Sequence, residues 1–326
     1  MPLAVVCREL GEPEVLRLEE VARAPLKAGE VRVKVQAAGL NYPDILTVSG
    51  VYQHKPDLPF IPGMEGAGDI IEIGEGVTKF AVGDKVMFSS RLDAYAQEIA
   101  LAATQCKPLP PQFSCAEGAG FGTGHATAYC GLVERAQTKP GEVVLVHGAG
   151  GGVGLAAVEV GKIIGATVIA VASSEEKLAV AKSRGANHTI LSTKTPFRDE
   201  VKRLTDGRGA DVVFDPVGGE TFENSLRCIN WGARLLIVGF LGGVGMARTN
   251  LVLIKNASVM GVRAGEQVRH DPSFGPPREA ALSKWIAEGR IKPNISHSLP
   301  LKDFAPAMRL LMDRKAIGRV VLLPWA

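Results

Sequence analysis

The sequence has few cysteines, and they lie far apart. Its five thiols form no Cys-x-x-Cys pair and stand at Cys7, Cys106, Cys115, Cys130 and Cys228. Neither a disulfide framework nor a zinc knuckle has this spacing. Because free thiols are typical of a reducing compartment, we expect a cytoplasmic protein.

The sequence also lacks the patterns of membrane and nucleic-acid proteins. There is no run of about 18 apolar residues, so we expect no membrane span. Charges at Arg8 and Glu9 interrupt the first apolar stretch, so we expect no signal peptide. A net charge of +3 and an aromatic content of 6% do not favour a nucleic-acid partner. A chain of 326 residues is long enough for two domains.

The most informative segment is a glycine-rich turn that ends at Gly154. An apolar run at 143–146 leads into five glycines and Ala149 within seven residues, and a helical pattern follows over 153–164. Strand, glycine-rich turn and helix in this order are the fingerprint of a dinucleotide site. The best-spaced match has Ala149 in the place of the first glycine, then Gly151 and Gly154.

Glycines at this junction let the backbone come close to a pyrophosphate. The N-terminus of the following helix offers unpaired N–H groups and a partial positive charge. We therefore expect Gly151, Gly152, Val153 and Gly154 to hold the dinucleotide. A glycine-rich turn without a ligand is the alternative.

The predicted secondary structure differs between the two halves of the chain. Short strands and turns fill roughly the first hundred residues, as at 31–36, 69–74 and 84–88, which predicts a compact β-barrel domain. From about residue 120, strands alternate with helices, and strands such as 168–172 and 235–238 are apolar on both faces. This pattern predicts a doubly wound parallel sheet with its ligand outside the carboxyl ends of the strands.

Six strands and four helices are predicted in the second half. The strands lie near 143–147, 167–172, 188–191, 211–215, 234–239 and 258–262, and the helices near 153–165, 175–184, 196–206 and 219–228. After about residue 263, helices near 278–289 and 303–313 and a strand at 318–323 are predicted. We expect this last strand to complete the N-terminal domain.

Five further segments resemble motifs of one known family, at 39–44, 58–68, 83–86, 139–142 and 317–321. With the glycine-rich turn, they make nearly the whole chain similar to the zinc-free quinone oxidoreductase branch of the medium-chain dehydrogenase/reductase superfamily, to which zeta-crystallin belongs. The resemblance implies an α/β protein with a Rossmann doubly wound parallel sheet and a GroES-like β-barrel catalytic domain. It implies the catalytic domain at 1–120, completed by 263–326, and an NADPH-binding domain at 121–262.

The resemblance also places the zinc ligands of related alcohol dehydrogenases. Those enzymes have a cysteine in the place of Asn41 and a histidine in the place of Met64. An amide and a thioether are poor Zn²⁺ ligands beside thiolate and imidazole. The four closely spaced cysteines of the structural zinc lobe are missing as well, since no cysteine lies between Phe88 and Cys106. We expect no metal; a zinc alcohol dehydrogenase is the alternative.

The residues after the second predicted strand bear on the choice of cofactor. NAD-binding folds usually place an acid about 20 residues past the glycines to hold the ribose hydroxyls, whereas this chain has Ala172 there. Ser173 and Ser174 leave room for a 2′-phosphate, and Lys177 supplies a positive charge. NADPH is therefore expected. A solvated lysine in the first turn of a helix is the alternative for Lys177.

Other residues near this strand bear on the same choice. The resemblance adds Arg314 as a second phosphate ligand. Glu175 and Glu176 weaken the assignment, because either can hold a ribose or repel a phosphate. The tyrosine that some relatives use near here is matched by Ser192.

By resemblance, residues from both domains surround the nicotinamide. The cofactor contacts implied are Asn41, Thr127, Gly239 and Phe240, and the substrate pocket implied contains Tyr42, Asp44, Leu46, Tyr52 and His125. Leu46 stands where some relatives carry a tyrosine, so one aromatic wall of the pocket is missing.

Without a metal, the cofactor supplies the hydride, and the protein supplies position and electrostatics. Asn41 and Tyr52 are the candidate catalytic donors to the carbonyl oxygen on which negative charge develops, and Tyr52 or solvent supplies the proton. The alternatives are that Asn41 serves only the turn before Pro43 and that Tyr52 serves only packing. His125 either shuttles protons or is structural, and Glu65 is expected to be a buried structural carboxylate.

The sequence therefore predicts an NADPH-dependent reductase of a small-molecule quinone or, alternatively, of an α,β-unsaturated carbonyl. A non-catalytic NADPH-binding sensor, structural protein or RNA-binding protein is the second alternative. Arg248, Arg263 and Arg269 near the predicted entrance either bind an acidic group such as a coenzyme A phosphate or are solvated. A homodimer is expected from the family, through edge-to-edge pairing of the strand at 258–262; a loop-covered edge is the alternative.

Overall fold

The computed structural model describes all 326 residues, and the chain folds into two compact units. The first unit comprises Met1–Thr123 and Pro293–Ala326, and the second comprises Gly124–Lys292. No helix in either unit is long and apolar enough to cross a membrane.

The first unit begins with seven strands and one short α-helix. Its elements are β1 (Leu3–Val6), β2 (Arg17–Glu20), β3 (Glu30–Gly39), α1 (Tyr42–Val48), β4 (Glu65–Ile73), β5 (Lys85–Ser89), β6 (Glu98–Ala102) and β7 (Cys106–Pro108), with 3₁₀ helices at Pro13–Val15 and Ala103–Gln105. Helix α2 (Cys115–Tyr129) follows, and the division between the units falls inside it.

The second unit alternates strands and helices. After a π-helix at Cys130–Arg135 come β8 (Val143–Val146), α3 (Gly152–Ile164), β9 (Thr167–Ala172), α4 (Glu175–Ser183), β10 (His188–Leu191), α5 (Phe197–Leu204), β11 (Ala210–Asp215), α6 (Gly219–Ser225), β12 (Ile229–Ile237), α7 (Thr249–Ile254), β13 (Ser258–Gly261), α8 (Ala264–His270), a 3₁₀ helix (Pro272–Phe274) and α9 (Gly275–Ala287). The chain re-enters the first unit with β14 (Ile295–Pro300), a 3₁₀ helix (Leu301–Asp303), α10 (Phe304–Met312) and β15 (Arg319–Leu323).

The second unit contains a six-stranded parallel sheet in the order β10-β9-β8-β11-β12-β13. Counted from β8, this is the order 3-2-1-4-5-6 of a Rossmann fold. Strands β8 and β11 are buried along their whole length, as expected for a sheet covered on both faces. The predicted doubly wound sheet is confirmed.

The main sheet of the first unit runs β14-β15-β3-β4-β5-β7, and β6 also pairs with β3. Strand β3 pairs with β4, β6 and β15, and most of its residues are buried. Arg32 is tolerated within this strand because its guanidinium lies 2.8 Å from the carboxylate of Glu72. The core of the unit is therefore organised around β3.

Residues 263–292 lie in the second unit, although the sequence analysis assigned them to the N-terminal domain. Arg278 on α9 makes a two-point ion pair with Glu134 of the π-helix, at 3.0 and 2.6 Å. The rings of Tyr129 and Trp285 pack with centroids 5.6 Å apart. These long-range contacts hold α9 to the second unit, and Arg278 also donates to the carbonyl oxygen of Ala264 at the start of α8. The sequence gives no local sign of them.

Candidate active site

The glycine-rich turn joins β8 to α3 in the second unit. A Cβ atom added at Gly154 would stand 2.2 Å from the carbonyl oxygen of Gly148, so only glycine permits this close approach. At Gly151 an added Cβ would meet only that same oxygen, at 3.5 Å, and the turn is open on this side. Helix α3 starts at Gly152 without a side-chain cap. Open backbone beside uncapped N–H groups fits a pyrophosphate.

Lys177 lies across this turn. A Cβ atom added at Gly150 would stand 2.6 Å from the Cβ and Cγ atoms of Lys177, so the lysine stem covers the glycine. The Nζ atom of Lys177 is 3.5 Å from Oγ of Ser173. Ser174 caps α4 by accepting the backbone N–H of Lys177. The structure thus brings a cation and a hydroxyl, both predicted to bind phosphate, next to the dinucleotide turn.

Glu175 and Glu176, the two acids that follow Ser174, are both exposed. Glu175 lies 3.7 Å from Lys194. Ser192 donates its hydroxyl to the carbonyl oxygen of Ala172 at 3.1 Å, so it serves the end of β9.

Two loops at the carboxyl edge of the parallel sheet carry further candidate residues. Gly239 and the exposed Phe240 follow β12. Asp215 ends β11, and its Oδ1 accepts the backbone N–H groups of Val217 and Gly218 at 2.8 and 2.9 Å, while its buried Oδ2 has no partner. Ligands of this fold bind where the strand order reverses, which here is between β8 and β11. Sequence reasoning missed Asp215, although an acid directly after an apolar strand was the available signal.

His147 connects the start of the glycine-rich turn to the core of the second unit. Its Nε2 lies 2.8 Å from Oγ of Ser225, and its ring packs edge-on against Phe197 with centroids 4.7 Å apart. Burial lowers the pKa of His147 from 6.5 to about 4, and the nearby carboxylate of Asp215 opposes this effect only in part. The imidazole is therefore neutral at physiological pH. Sequence reasoning did not identify this residue.

In the first unit, Asn41 is the N-cap of α1, and both ends of its side-chain amide are occupied. Its Nδ2 donates to Oε1 of Glu65 at 3.0 Å, and its Oδ1 accepts from Nη1 of Arg319 at 3.0 Å. The residue is only 4% exposed. Asn41 was predicted to donate to the substrate carbonyl or to serve only the local turn, but the structure commits its amide to a buried ionic network.

Glu65 and Arg319 are the charged members of this network. Arg319 donates through Nη2 to Oε1 of Glu65, and the backbone N–H of Thr123 donates to Oε2 at 2.8 Å. Both side chains are buried, and Nε of Arg319 has no partner. Glu65 is thus a buried carboxylate with several donors, which is the condition for keeping such a charge inside a protein.

Asp44 is the second carboxylate of the region, and it points into the core. Its Oδ2 accepts the hydroxyl of the fully buried Tyr95 at 2.7 Å and the backbone N–H of Asn41 at 2.8 Å. Burial raises the pKa of Asp44 from 3.8 to about 7, against the effect of these two hydrogen bonds. Asp44 was predicted to line the substrate pocket; the structure instead shows it holding the start of α1.

We expect the Asp44 pKa to make stability fall as pH rises. Between pH 3.8 and about 7 the folded state holds a proton that the unfolded state releases, so this contribution is complete at low pH and is lost on the way to about pH 7. The loss amounts to at most about 4 kcal/mol. In urea unfolding across this pH range, the free energy of unfolding of the wild type relative to that of Asp44→Asn should fall as pH rises.

The control for this prediction is Asp57→Asn, which changes an exposed aspartate of the same unit. Protonation of His147 lowers stability at acidic pH in every variant, so the difference between wild type and Asp44→Asn isolates Asp44. Parallel pH profiles for these two proteins would contradict the assigned pKa.

The remaining predicted residues are partly accessible. Tyr42, Leu46 and Tyr52 are half-buried, and the backbone N–H of Tyr52 donates to the carbonyl of Leu46 at 3.0 Å, so these three belong to α1 and the bend after it. Thr127 is half-buried on α2, within the second unit. Arg314 is exposed in the first unit, in a left-handed turn (φ +57°) after α10.

The structure buries His125 and pairs two of the three predicted entrance arginines with a neighbouring glutamate. His125 was placed in the substrate pocket, but it is buried in the second unit, where its Nε2 lies 2.8 Å from Oε2 of Glu159. Arg263 and Arg269 both pair with Glu266. An arginine whose charge is already balanced by a nearby glutamate binds an acidic substrate group less strongly.

Comparisons with known proteins agree on one family. Two family models match, the alcohol dehydrogenase GroES-like domain over 27–142 and the zinc-binding dehydrogenase over 152–273. A quinone oxidoreductase-like protein 2 homolog of Nematostella vectensis is 37% identical over 323 residues, covering 98% of this chain and 88% of the relative. Quinone oxidoreductase of Homo sapiens is 32% identical, covering 98% of this chain and 97% of that protein.

A solved structure supports the same assignment. The Escherichia coli quinone oxidoreductase complexed with NADPH is 29% identical, with a TM-score of 0.90 over 99% of this chain and 100% of the other. The chain belongs to the zinc-free quinone oxidoreductase branch of the medium-chain dehydrogenase/reductase superfamily.

One of the two matching family models is named for zinc binding. In this chain, however, the residues at the expected zinc positions do not fit a zinc site. Asn41 is held by Glu65 and Arg319, and a buried guanidinium next to it repels a second cation. Met64 offers only a thioether, which is a poor ligand for Zn²⁺. No group of three or more His, Cys, Asp or Glu side chains is arranged to hold a metal ion.

Proposed function

We propose that this chain is an NADPH-dependent reductase that transfers hydride to quinones without a metal. The observation that carries the proposal is the position of Lys177, whose stem lies across Gly150 and whose Nζ is 3.5 Å from Ser173 Oγ. A cation and a hydroxyl beside a dinucleotide turn suit the 2′-phosphate that distinguishes NADPH from NADH. The similarity to an NADPH-complexed quinone oxidoreductase supports it.

The cofactor would be held along the edge of the parallel sheet. We assign the pyrophosphate to Gly151, Gly152, Val153 and Gly154, the 2′-phosphate to Ser173, Lys177 and Arg314, and the nicotinamide end to Thr127, Gly239 and Phe240. When bound, NADPH supplies the hydride. The backbone of the turn and the N-terminus of α3 orient the dinucleotide and balance its negative charge.

On the substrate side, we assign the hydrogen-bond donor to Tyr52. Reduction of a quinone places negative charge on the carbonyl oxygen, and a donor aimed at that oxygen lowers the barrier. The amide of Asn41 is occupied by Glu65 and Arg319, so we assign it the role of fixing the start of α1 beside Tyr42. Tyr52 follows the same helix and can donate both the hydrogen bond and the proton.

The proposal is tested by comparing acceptors at saturating NADPH with a chelator present. An ortho-quinone and a simple enone are each titrated while near-ultraviolet absorbance reports cofactor oxidation. We expect the kcat/KM for the quinone to exceed that for the enone by at least about tenfold, a difference of about 1.4 kcal/mol. Turnover of the enone alone would move the assignment to alkene reduction, and tight NADPH binding without any turnover would move it to a non-catalytic NADPH-binding protein.

We also propose that the chain forms a homodimer through β13. This strand is at the edge of its sheet, where it pairs with β12 alone. Large apolar side chains are exposed beside it, namely Trp231 on β12 and Leu253 and Ile254 on α7, and a backbone hydrogen bond from Gly232 to Lys255 holds these elements together. An unpaired edge beside exposed apolar groups suits pairing with a second copy.

Size-exclusion chromatography with light-scattering detection measures the molecular mass and so tests the dimer. We expect the wild type to have twice the mass of one chain and Leu253→Glu to have the mass of one chain, because burying the new charge opposes association. Val82→Glu, which changes an exposed apolar residue of the first unit, is the control and should remain dimeric. A wild type with the mass of a single chain would refute the dimer.

A further inference from the structure

A buried histidine next to the dinucleotide turn has no part in the proposed chemistry. His125 on α2 is 3% exposed and Glu159 on α3 is 5% exposed. The Nε2 of His125 lies 2.8 Å from Oε2 of Glu159, and Oε1 of Glu159 accepts from Nη1 of Arg184 at 2.8 Å. Arg184 also donates to the carbonyl oxygen of Lys292 at 2.6 Å. One buried carboxylate therefore connects α2, α3 and the end of α4.

This arrangement is unusual for the helix that carries it. Between Gly152 and Gly161, Glu159 is the one polar side chain of α3. Burying a carboxylate costs several kcal/mol even when it is paired, and a well-packed apolar residue is often as stable or more so. The buried group of His125, Glu159 and Arg184 is therefore unlike an arrangement that adds stability. What it can do is fix the positions of the helices that it joins.

A second contact sets α2 against the start of α3. A Cβ atom added at Gly124 would stand 3.5 Å from the carbonyl oxygen of Gly152 and 3.9 Å from Cβ of Ala156. Because residues three and four apart share a helix face, Gly152, Ala156 and Glu159 form one face of α3. Neighbouring residues of α2, Gly124 and His125, both contact that face. Together they fix α2 along the first two turns of α3.

Thr127 is carried by the same part of α2. It follows Gly124 by three residues, so it lies on the helix face that approaches the start of α3. Any sliding of α2 along α3 moves Thr127 relative to the glycine-rich turn.

We propose that His125 is a positioning residue for the nicotinamide half of NADPH, acting through its hydrogen bond to Glu159. This bond keeps Thr127 in register with the glycine-rich turn. The inference rests on the NADPH site proposed above. The adenine half is assigned to Ser173 and Lys177, which lie at the end of β9 and in the first turn of α4, so we expect its binding to change much less than that of the nicotinamide half when His125 is replaced.

Calorimetric titration with two ligands tests this role. NADPH contains both halves of the cofactor, whereas adenosine 2′,5′-bisphosphate has the 2′-phosphate but no nicotinamide. For His125→Leu, we expect the Kd for NADPH to rise about tenfold, the loss expected for a hydrogen bond to a charged group. The Kd for the bisphosphate should stay within about twofold. His125→Gln should restore most of the NADPH affinity, because its amide can donate to Glu159.

Controls separate this role from general damage. His188→Leu, on the sheet-edge strand β10, should bind both ligands as the wild type does. If His125→Leu does not fold, His125→Asn, which is too short to reach Glu159, must show the same selective loss. Unchanged NADPH affinity, or equal weakening of both ligands, would overturn the inference. A wild type that binds the bisphosphate and not NADPH, or neither, would overturn the proposed function instead.

Discussion

Replacing Lys177 by methionine should raise the KM for NADPH by about 10- to 100-fold and leave the KM for NADH within about twofold. Methionine keeps an apolar stem over Gly150 but removes the charge. A charge-assisted hydrogen bond to a phosphate contributes about 1.5–3 kcal/mol, and each 1.4 kcal/mol corresponds to about tenfold in affinity. Steady-state kinetics with both cofactors at a fixed quinone concentration measures the change.

The matched control is Lys182→Met, which removes an exposed lysine from the last turn of the same helix. It should leave both KM values unchanged, because Lys182 is not near the glycine-rich turn. Equal weakening of NADPH and NADH in Lys177→Met would contradict a phosphate contact and would leave Lys177 with a packing role over Gly150.

The second large effect is expected from Arg319→Met, which should lower the free energy of unfolding by about 3–5 kcal/mol. Arg319 supplies a hydrogen bond to Glu65 and another to Asn41, and all three side chains are buried. Its removal leaves the carboxylate of Glu65 with no positive partner, which is far more costly than never having the pair. Urea unfolding monitored by tryptophan fluorescence and circular dichroism measures the loss.

Two further variants test this explanation. Arg309→Met breaks a surface ion pair with Glu14 in the same unit, where solvent screens the charges, so its unfolding midpoint should not change. Adding Glu65→Gln to Arg319→Met should recover part of the stability, because the buried charge is gone. A double variant less stable than Arg319→Met would contradict the uncompensated charge as the cause.

The second unit could be predicted from the sequence in some detail. Strands such as β8 and β9 are apolar on both faces, and glycines and charged residues mark their ends. Local patterns of this kind determine a parallel sheet almost by themselves. The relation of Lys177 to the turn was predictable too, since the end of the second strand is next to the first in this fold.

Helix α2 could not be predicted in this way. Gly118, Gly120, Gly122 and Gly124 weaken its intrinsic helix propensity and leave no apolar stripe. In the structure these glycines leave room for neighbouring side chains. A Cβ atom at Gly118 would stand 2.4 Å from Leu109, and one at Gly120 would stand 2.7 Å from Ile295. Close tertiary packing, which no local pattern reveals, stabilises this helix.

The roles of Asn41 and Asp44 could not be predicted from the sequence either. Both residue types suit a substrate pocket, and the resemblance placed them there. Their partners are distant along the chain, since Arg319 is 278 residues from Asn41 and Tyr95 is 51 residues from Asp44. Polar side chains are assigned by their contacts, and contacts over such separations appear only in the folded protein.

The most direct test of the central claim is a single turnover. The protein is saturated with NADPH, mixed with an ortho-quinone in the presence of a chelator, and followed by near-ultraviolet absorbance. The proposed function predicts that one NADPH is oxidised for each hydroquinone formed, at the same rate with and without the chelator. Bound NADPH whose absorbance does not change after mixing, or a rate that the chelator abolishes, would contradict it.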